Sequence, residues 1–162
     1  MSTLHIFRGV PASGKTTAAR EWLAEGENRI RVNRDDIRFN NFGKYWGVNE
    51  IHVTEFEDDA IRRAMKLGLD IVLDSTNLVR KHVIDKMEIA QAHGYEVEFT
   101  DFTVSFNEAL DRDEGRDKAV GEDVLRSFFR RFIGKDGVSL PTVPTIQPTP
   151  LFEPYVEVGD LP

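Results

Sequence analysis

The sequence of 162 residues contains no cysteine. That excludes disulfide cross-links, a thiolate nucleophile and thiolate-bound zinc, and it suits a reducing cytoplasm. Histidine is scarce, and His5, His52, His82 and His93 show no metal-ligand spacing. Apolar runs stop at four or five residues, too short for a helix that spans a bilayer. Residues 1–9 have neither the basic start nor the apolar core of a secretory signal, so none is expected. Proline is nearly missing from the body: only Pro11 precedes Pro141. What remains is ordinary for a soluble globular chain, with 40% hydrophobic and 30% charged residues and a net charge of −7. By itself that charge argues against nucleic acid as a partner.

The uneven proline usage divides the chain into a regular body, 1–134, and an extended tail, 135–162. The tail carries Leu151, Phe152, Tyr155, Val156 and Val158 and is expected to lie back on the body. Its Pro141–Pro144 spacing reads as rigid loop, not as a partner ligand. Within the body, 4–8, 30–33, 70–74 and 97–104 read as strands, and 15–24, 54–69, 80–93 and 122–134 carry helical periodicity. On the second of these helices Phe56, Ala60, Ile61 and Ala64 share the expected core face. Alternating strands and helices imply right-handed βαβ units: an α/β fold with a parallel sheet covered on both faces.

The strongest motif runs from Gly9 to Thr16, GVPASGKT, and matches G-x-x-x-x-G-K-[ST] between the first strand and the first helix. Gly9 and Gly14 let the backbone close around a phosphate, with Pro11, Ala12 and Ser13 between them and Thr17 just beyond. Lys15 supplies a cation for the β- and γ-phosphates, and the Thr16 hydroxyl is a Mg²⁺ ligand. The chain is therefore expected to bind ATP or another nucleoside triphosphate with Mg²⁺.

In such sheets ligands collect at the carboxyl ends of the strands. The second strand runs into Asn33-Arg34-Asp35-Asp36-Ile37-Arg38. Asp35 is placed to take a proton from an acceptor hydroxyl, and Asp36 is assigned to cap the following helix. Asp74 ends the third strand and leads into Ser75-Thr76-Asn77. It is either a member of the Mg²⁺ shell or an orienter of Arg38 or loop amides, with Thr76 and Asn77 as turn formers in the second case. Arg112 and Arg116, four apart, would share one face of a lid helix, either as cations closing over the triphosphate or as part of a solvated charged surface. Asp111-Arg112-Asp113 lacks the preceding strand of an acid-phosphatase motif, and that reading is rejected.

Together these elements resemble the kinase domain of phage-type polynucleotide 5′-hydroxyl kinases. The resemblance rests on residues 9–17, Asn33-Arg34-Asp35-Asp36-x-Arg38, Asp74-Ser-Thr76-Asn77-Leu78, Arg112-x-x-x-Arg116 with Lys118-Ala-Val120, and the Asp123-Val-Leu-Arg126-Ser127 opening of the last helix. It implies a P-loop kinase fold of about four strands in the order 2-3-1-4 with a helical lid. It implies transfer of the ATP γ-phosphate to the 5′-OH of single-stranded DNA or RNA ends, in the healing of broken strands, in the cytoplasm (the host's, for a phage-encoded protein). Asp35 would be the general base, and Arg38 with Thr76 would clamp the acceptor's 3′-side phosphate. Arg34, Asp74 and Asn77 would complete the acceptor site. Arg116, helped by Arg112, would stabilise the transition state, and Val120 would pack on the acceptor base. The lid differs from the family pattern by one residue and has Val120-Gly121 where proline is commoner. Many members of that family continue into a phosphatase domain; here the proline-rich tail follows instead, so kinase activity alone is expected.

A small-molecule kinase acting on a sugar, nucleoside or nucleotide-sugar is the alternative. A non-enzymatic nucleotide-dependent module using the tail is the second. Neither an obligatory protein partner nor an oligomeric state is legible. The net charge is reconciled by its placement: acidity is concentrated at Glu50, Glu55, Glu57, Asp58 and Asp59 and in the tail. Arg34, Arg38, Arg112 and Arg116 are expected to line a local basic channel.

Overall fold

The computed structural model describes residues 2–148. Four strands, β1 (Thr3–Arg8), β2 (Arg29–Val32), β3 (Asp70–Asp74) and β4 (Glu96–Asp101), form one parallel sheet in the order β2-β3-β1-β4. Six helices follow the strands and close the lid: α1 (Lys15–Ala24), α2 (Arg34–Phe42), α3 (Glu50–Lys66), α4 (Arg80–Ala92), α5 (Phe106–Glu114) and α6 (Glu122–Phe132). The expected strand order and α/β fold are observed. Among the described residues no helix is long and apolar enough to cross a membrane.

Strand alternation builds the two faces of the sheet. Leu4, Ile6, Ile71 and Leu73 point to one side, where Ile61, Ala64 and Met65 of α3 and Ile89 and Ala90 of α4 cover them. Phe7 and Val72 point to the other and meet Ala19 of α1, with Trp22 and Phe102 at the margin. A third cluster, Val10, Leu78, Val104, Ala109 and Leu125, anchors the lid helices α5 and α6 beside the sheet end.

Helix α3 starts four residues before the periodicity suggests, because the Asn49 side chain accepts from the Ile51 amide and caps it. Its buried face is Val53, Glu57, Ile61, Ala64 and Met65. Phe56 is not on it. That ring is 49% exposed and meets Phe42 edge-on at 5.8 Å instead. Glu57 holds the core position because Arg34 and Lys86 neutralise it there.

Beyond α6 the chain runs back over the body. The Arg8 guanidinium donates to the Pro141 carbonyl at 2.7 Å, Leu140 packs on the lid cluster, and the Gln91 amide donates to the Gln147 carbonyl at 3.1 Å. Leu151, Phe152, Tyr155, Val156 and Val158 lie outside the described residues.

Candidate nucleotide and acceptor site

Residues 9–14 turn between β1 and α1. A Cβ on Gly9 would lie 2.6 Å from Ser13 Oγ and 2.9 Å from the Phe102 carbonyl oxygen, so only glycine fits. Gly14 has φ 102° and starts α1 from the left-handed region, leaving the first amides of the helix without a side-chain cap and free for an anion. Ala12 also has positive φ, 63°. The loop is tied to the end of β3 by the Gly9 amide, which donates to the Thr76 carbonyl at 3.0 Å.

Lys15 is buried and donates to the carbonyls of Gly9 (2.9 Å) and Val10 (2.8 Å) and to Ser13 Oγ (3.3 Å). Burial lowers its pKa to about 8, Arg116 adds to that, and Asp74 and Asp35 oppose it. Thr16 is half-buried in the first turn of α1, and Thr17 beside it is exposed.

Asp74 ends β3 opposite Phe7, the residue before the last of β1. Its carboxylate is 1% exposed. Arg31 of β2 approaches Oδ2 with Nε at 2.8 Å and Nη2 at 2.7 Å, and the Asn33 side-chain amide donates to the Asp74 backbone carbonyl. Asp74 thus binds Arg31, not Arg38. Its Oδ1 is buried and has no hydrogen-bond partner in the protein. An orphaned anionic oxygen that acts on the P-loop lysine fits a Mg²⁺ hydration shell, since that ion takes one or two protein oxygens and completes its sphere with water and phosphate.

Asn33, not Asp36, caps α2. Its Oδ1 accepts from the Asp36 amide at 2.9 Å, because the residue preceding the helix has the extended backbone that capping requires. The Asp36 carboxylate instead pairs with Arg31 Nη1 at 2.6 Å. Asp35 stands in the first turn, 43% exposed, and accepts from Arg38 Nη1 at 2.8 Å.

Arg38 also forks onto Glu50, Nε to Oε1 at 2.9 Å and Nη2 to Oε2 at 2.7 Å. Burial lowers the Arg38 pKa, but Glu50 and then Asp35 outweigh it and the net shift is upward. Glu50 is lowered, chiefly by the Arg38 hydrogen bond. Arg34 turns to Glu57 (2.7 Å), Glu50 (2.8 Å) and Thr54 Oγ1 (3.0 Å). Thr76, Arg34, Glu50, Glu57, His82 and Lys86 border a cavity of about 170 Å³. Asn77 faces inward, its amide donating to the Phe7 carbonyl at 2.7 Å, and so fastens β1 to the loop after β3.

Helix α5 ends at Glu114, so Arg112 and Arg116 do not share a helix. Gly115 stops it, and the buried Asp113 carboxylate accepts from the amides of Val120 (3.0 Å) and Gly121 (2.9 Å), folding the chain back. Arg116 follows in the loop, 3.4 Å from Asp113 Oδ1 and close enough to Lys15 to lower its pKa. Arg112 pairs with Glu108 at 2.5 Å, and its Nη1 lies 3.9 Å from where a Cβ on Gly14 would be. Arg112 thus comes near Gly14 from α5, and Arg116 acts on Lys15 from the loop that follows. Val120 packs partly on the lid cluster.

The four arginines expected to line a local basic channel, Arg34, Arg38, Arg112 and Arg116, are each paired with an acidic side chain. The acidic segment that the charge reading set apart delivers Glu50 and Glu57 into the site. Arg31, Glu50, Glu57 and Asp113 were not among the expected site residues. A basic residue inside a parallel-sheet strand, as Arg31 is, signals a buried acidic partner.

Known proteins share this fold. A candidate bifunctional polynucleotide kinase/RNA ligase of Autographa californica nuclear polyhedrosis virus is 26% identical over 174 aligned residues, covering 97% of this chain and 22% of its own. A chain in the Pnkp1/Rnl/Hen1 RNA repair complex superposes with a TM-score of 0.69 at 25% identity, over 78% of this chain and 42% of its own. A candidate kinase from Chloroflexus aurantiacus shares the fold at 18% identity and a TM-score of 0.66, over 88% of this chain and 80% of its own. The chain thus spans about a fifth of the curated relative and under half of the repair-complex chain. Its P-loop kinase-like fold implies nucleotide binding, and the family match extends from the first strand through the lid helices. Over residues 4–134 the sequence matches the AAA domain family, and the chain belongs to it.

Proposed function

We propose that this domain transfers the γ-phosphate of ATP to the 5′-hydroxyl end of DNA or RNA. The observation that carries the reading is the position of Asp35. It is half-exposed at the carboxyl end of β2, is hydrogen-bonded to Arg38, and is near enough to the P-loop lysine to act on its pKa. A P-loop kinase with such a carboxylate has a base for an acceptor hydroxyl. The viral and repair-complex relatives support nucleic-acid ends as the acceptor.

In this mechanism residues 9–17 hold the triphosphate, with Lys15 on the β- and γ-phosphates. Thr16 and Asp74 Oδ1 would hold Mg²⁺, which would supply neutralisation of phosphate charge when bound. The acceptor 5′-oxygen attacks the γ-phosphorus while its proton passes to Asp35. The bond to the β,γ-bridging oxygen breaks and ADP leaves. Arg116 and Arg112 neutralise charge on the transferring group. Arg38 and Thr76 hold the acceptor's 3′-side phosphate, Arg34 and Asn77 brace that site, and Val120 borders the base. Residues 1–134 would form the kinase domain and 135–162 its C-terminal extension, of which the described part, 135–148, meets the body through the Pro141 and Gln147 contacts. The domain would act in the cytoplasm on broken strands before ligation.

The test is γ-labelled ATP offered in parallel to 5′-OH DNA, 5′-OH RNA, a 3′-nucleotide, its parent nucleoside and common sugars. Label on the oligonucleotides and the 3′-nucleotide is expected. Equal labelling of the nucleoside or a sugar would indicate a small-molecule kinase instead.

A further inference from the structure

The α2–α3 connection carries aromatic rings that the core does not use. Trp46 is 60% exposed and Phe39 49% exposed. Phe39 and Tyr45 stack with centroids 4.9 Å apart and planes at 16°, and Trp46 stands edge-on to Tyr45 at 5.8 Å. Leaving a tryptophan mostly in water gives up one of the largest apolar burials available to a side chain. Phe39 directly follows Arg38, two turns at most from Asp35 on the same helix. The lid reaches over from the other side: Lys118 Nζ lies 4.9 Å from the centroid of the Tyr45 ring and 3.8 Å from Asp36 Oδ1. Lys44 adds a second cation, its Nζ 3.8 Å from a Cβ built on Gly47.

We infer that Phe39 and Trp46, held by the partly buried Tyr45 between them, form a stacking platform for the nucleobases that follow the 5′-terminal nucleotide of a single-stranded acceptor. The inference rests on the polynucleotide reading above and specifies how the strand beyond its end is held. Flat exposed π-faces accept any base, and cations beside them suit the intervening phosphates, which is the combination that binds single strands without sequence preference. Continuity with the Asp35–Arg38 turn places the platform on the acceptor side. Val120, by contrast, spends part of its side chain in the lid cluster. Phe39 and Trp46 thus offer the larger exposed ring surface for bases next to the site.

The experiment uses the full chain without ATP. Fluorescence anisotropy measures binding of a labelled 5′-OH oligothymidylate, with the 3′-thymidine mononucleotide as competitor. Trp46→Ala is expected to weaken the oligomer about fivefold or more relative to the mononucleotide, the effect of losing one stacked base. Trp46→Phe should restore most of the loss, and an oligomer abasic beyond its first nucleotide should bind wild type no better than the intact oligomer binds Trp46→Ala. An unchanged ratio overturns the platform, as does a Trp46-dependent dimer in sedimentation with oligomer affinity unaltered. Trp46-dependent oligomer binding without phosphate transfer would leave the platform standing and defeat the kinase reading. Transfer to oligonucleotides with no Trp46 dependence would do the reverse.

Discussion

The Arg31 guanidinium lies against one oxygen of the buried Asp74 carboxylate, Nη2 at 2.7 Å and Nε at 2.8 Å from Oδ2, and leaves Oδ1 without a protein partner. The pair joins β2 to the end of β3 and fixes which oxygen remains for the phosphate side. Arg31 also holds Asp36 at 2.6 Å, so one cation organises both strand ends.

Removing that cation leaves a buried charge without compensation. Arg31→Ala is expected to destabilise the fold by about 3–5 kcal/mol, the usual consequence of breaking one side of a buried pair. Urea denaturation measures it. Adding Asp74→Asn should recover part of the loss, because the uncompensated charge is then gone. A single-variant loss below about 0.5 kcal/mol, the range of a neutral surface change, would contradict the structural role given to the pair.

The Lys15 pKa, lowered from 10.5 to about 8, sets a pH window with two opposite consequences. Between pH 8 and 10.5 the unfolded chain holds a proton that the folded chain has released, so the Lys15 contribution to stability rises with pH there. Nucleotide binding needs the cation and should weaken about tenfold per pH unit above that folded pKa, with uptake of a proton. Titration calorimetry at pH 9 in buffers of different ionisation enthalpy checks this. Affinity and heat independent of pH and buffer would show that Lys15 is already fully charged.

The fold and the phosphate loop were legible because local chemistry determines them. The apolar alternation of residues 4–8 and 70–74, and the glycines at 9 and 14, leave few conformations to choose among. The acceptor side was only half legible. Asp35 and Arg38 stand in one recognisable turn, but Glu50 reaches them from a helix twelve residues away. Its role depends on how α3 packs on α2, which periodicity does not encode. Asn33 displaced Asp36 as the cap because extended backbone selects the position, and both residue types can serve. Arg112 and Arg116 looked like one helical face. The helix stops between them because Gly115 and the Asp113 carboxylate turn the chain, and Asp113 reads in sequence as one acid among several. Glu57 was hidden in the same way, as an acidic residue whose burial depends on Arg34 and Lys86 arriving from other elements.

Asp35, as proposed above, takes the proton of the attacking 5′-hydroxyl. Single-turnover transfer from γ-labelled ATP to a 5′-OH oligonucleotide, comparing wild type with Asp35→Asn, tests it most directly. Transfer is expected to fall about 10²- to 10⁴-fold, the range contributed by a positioned general base, while ATP binding, assigned to residues 9–17, changes little. Transfer by Asp35→Asn at the wild-type rate would contradict it.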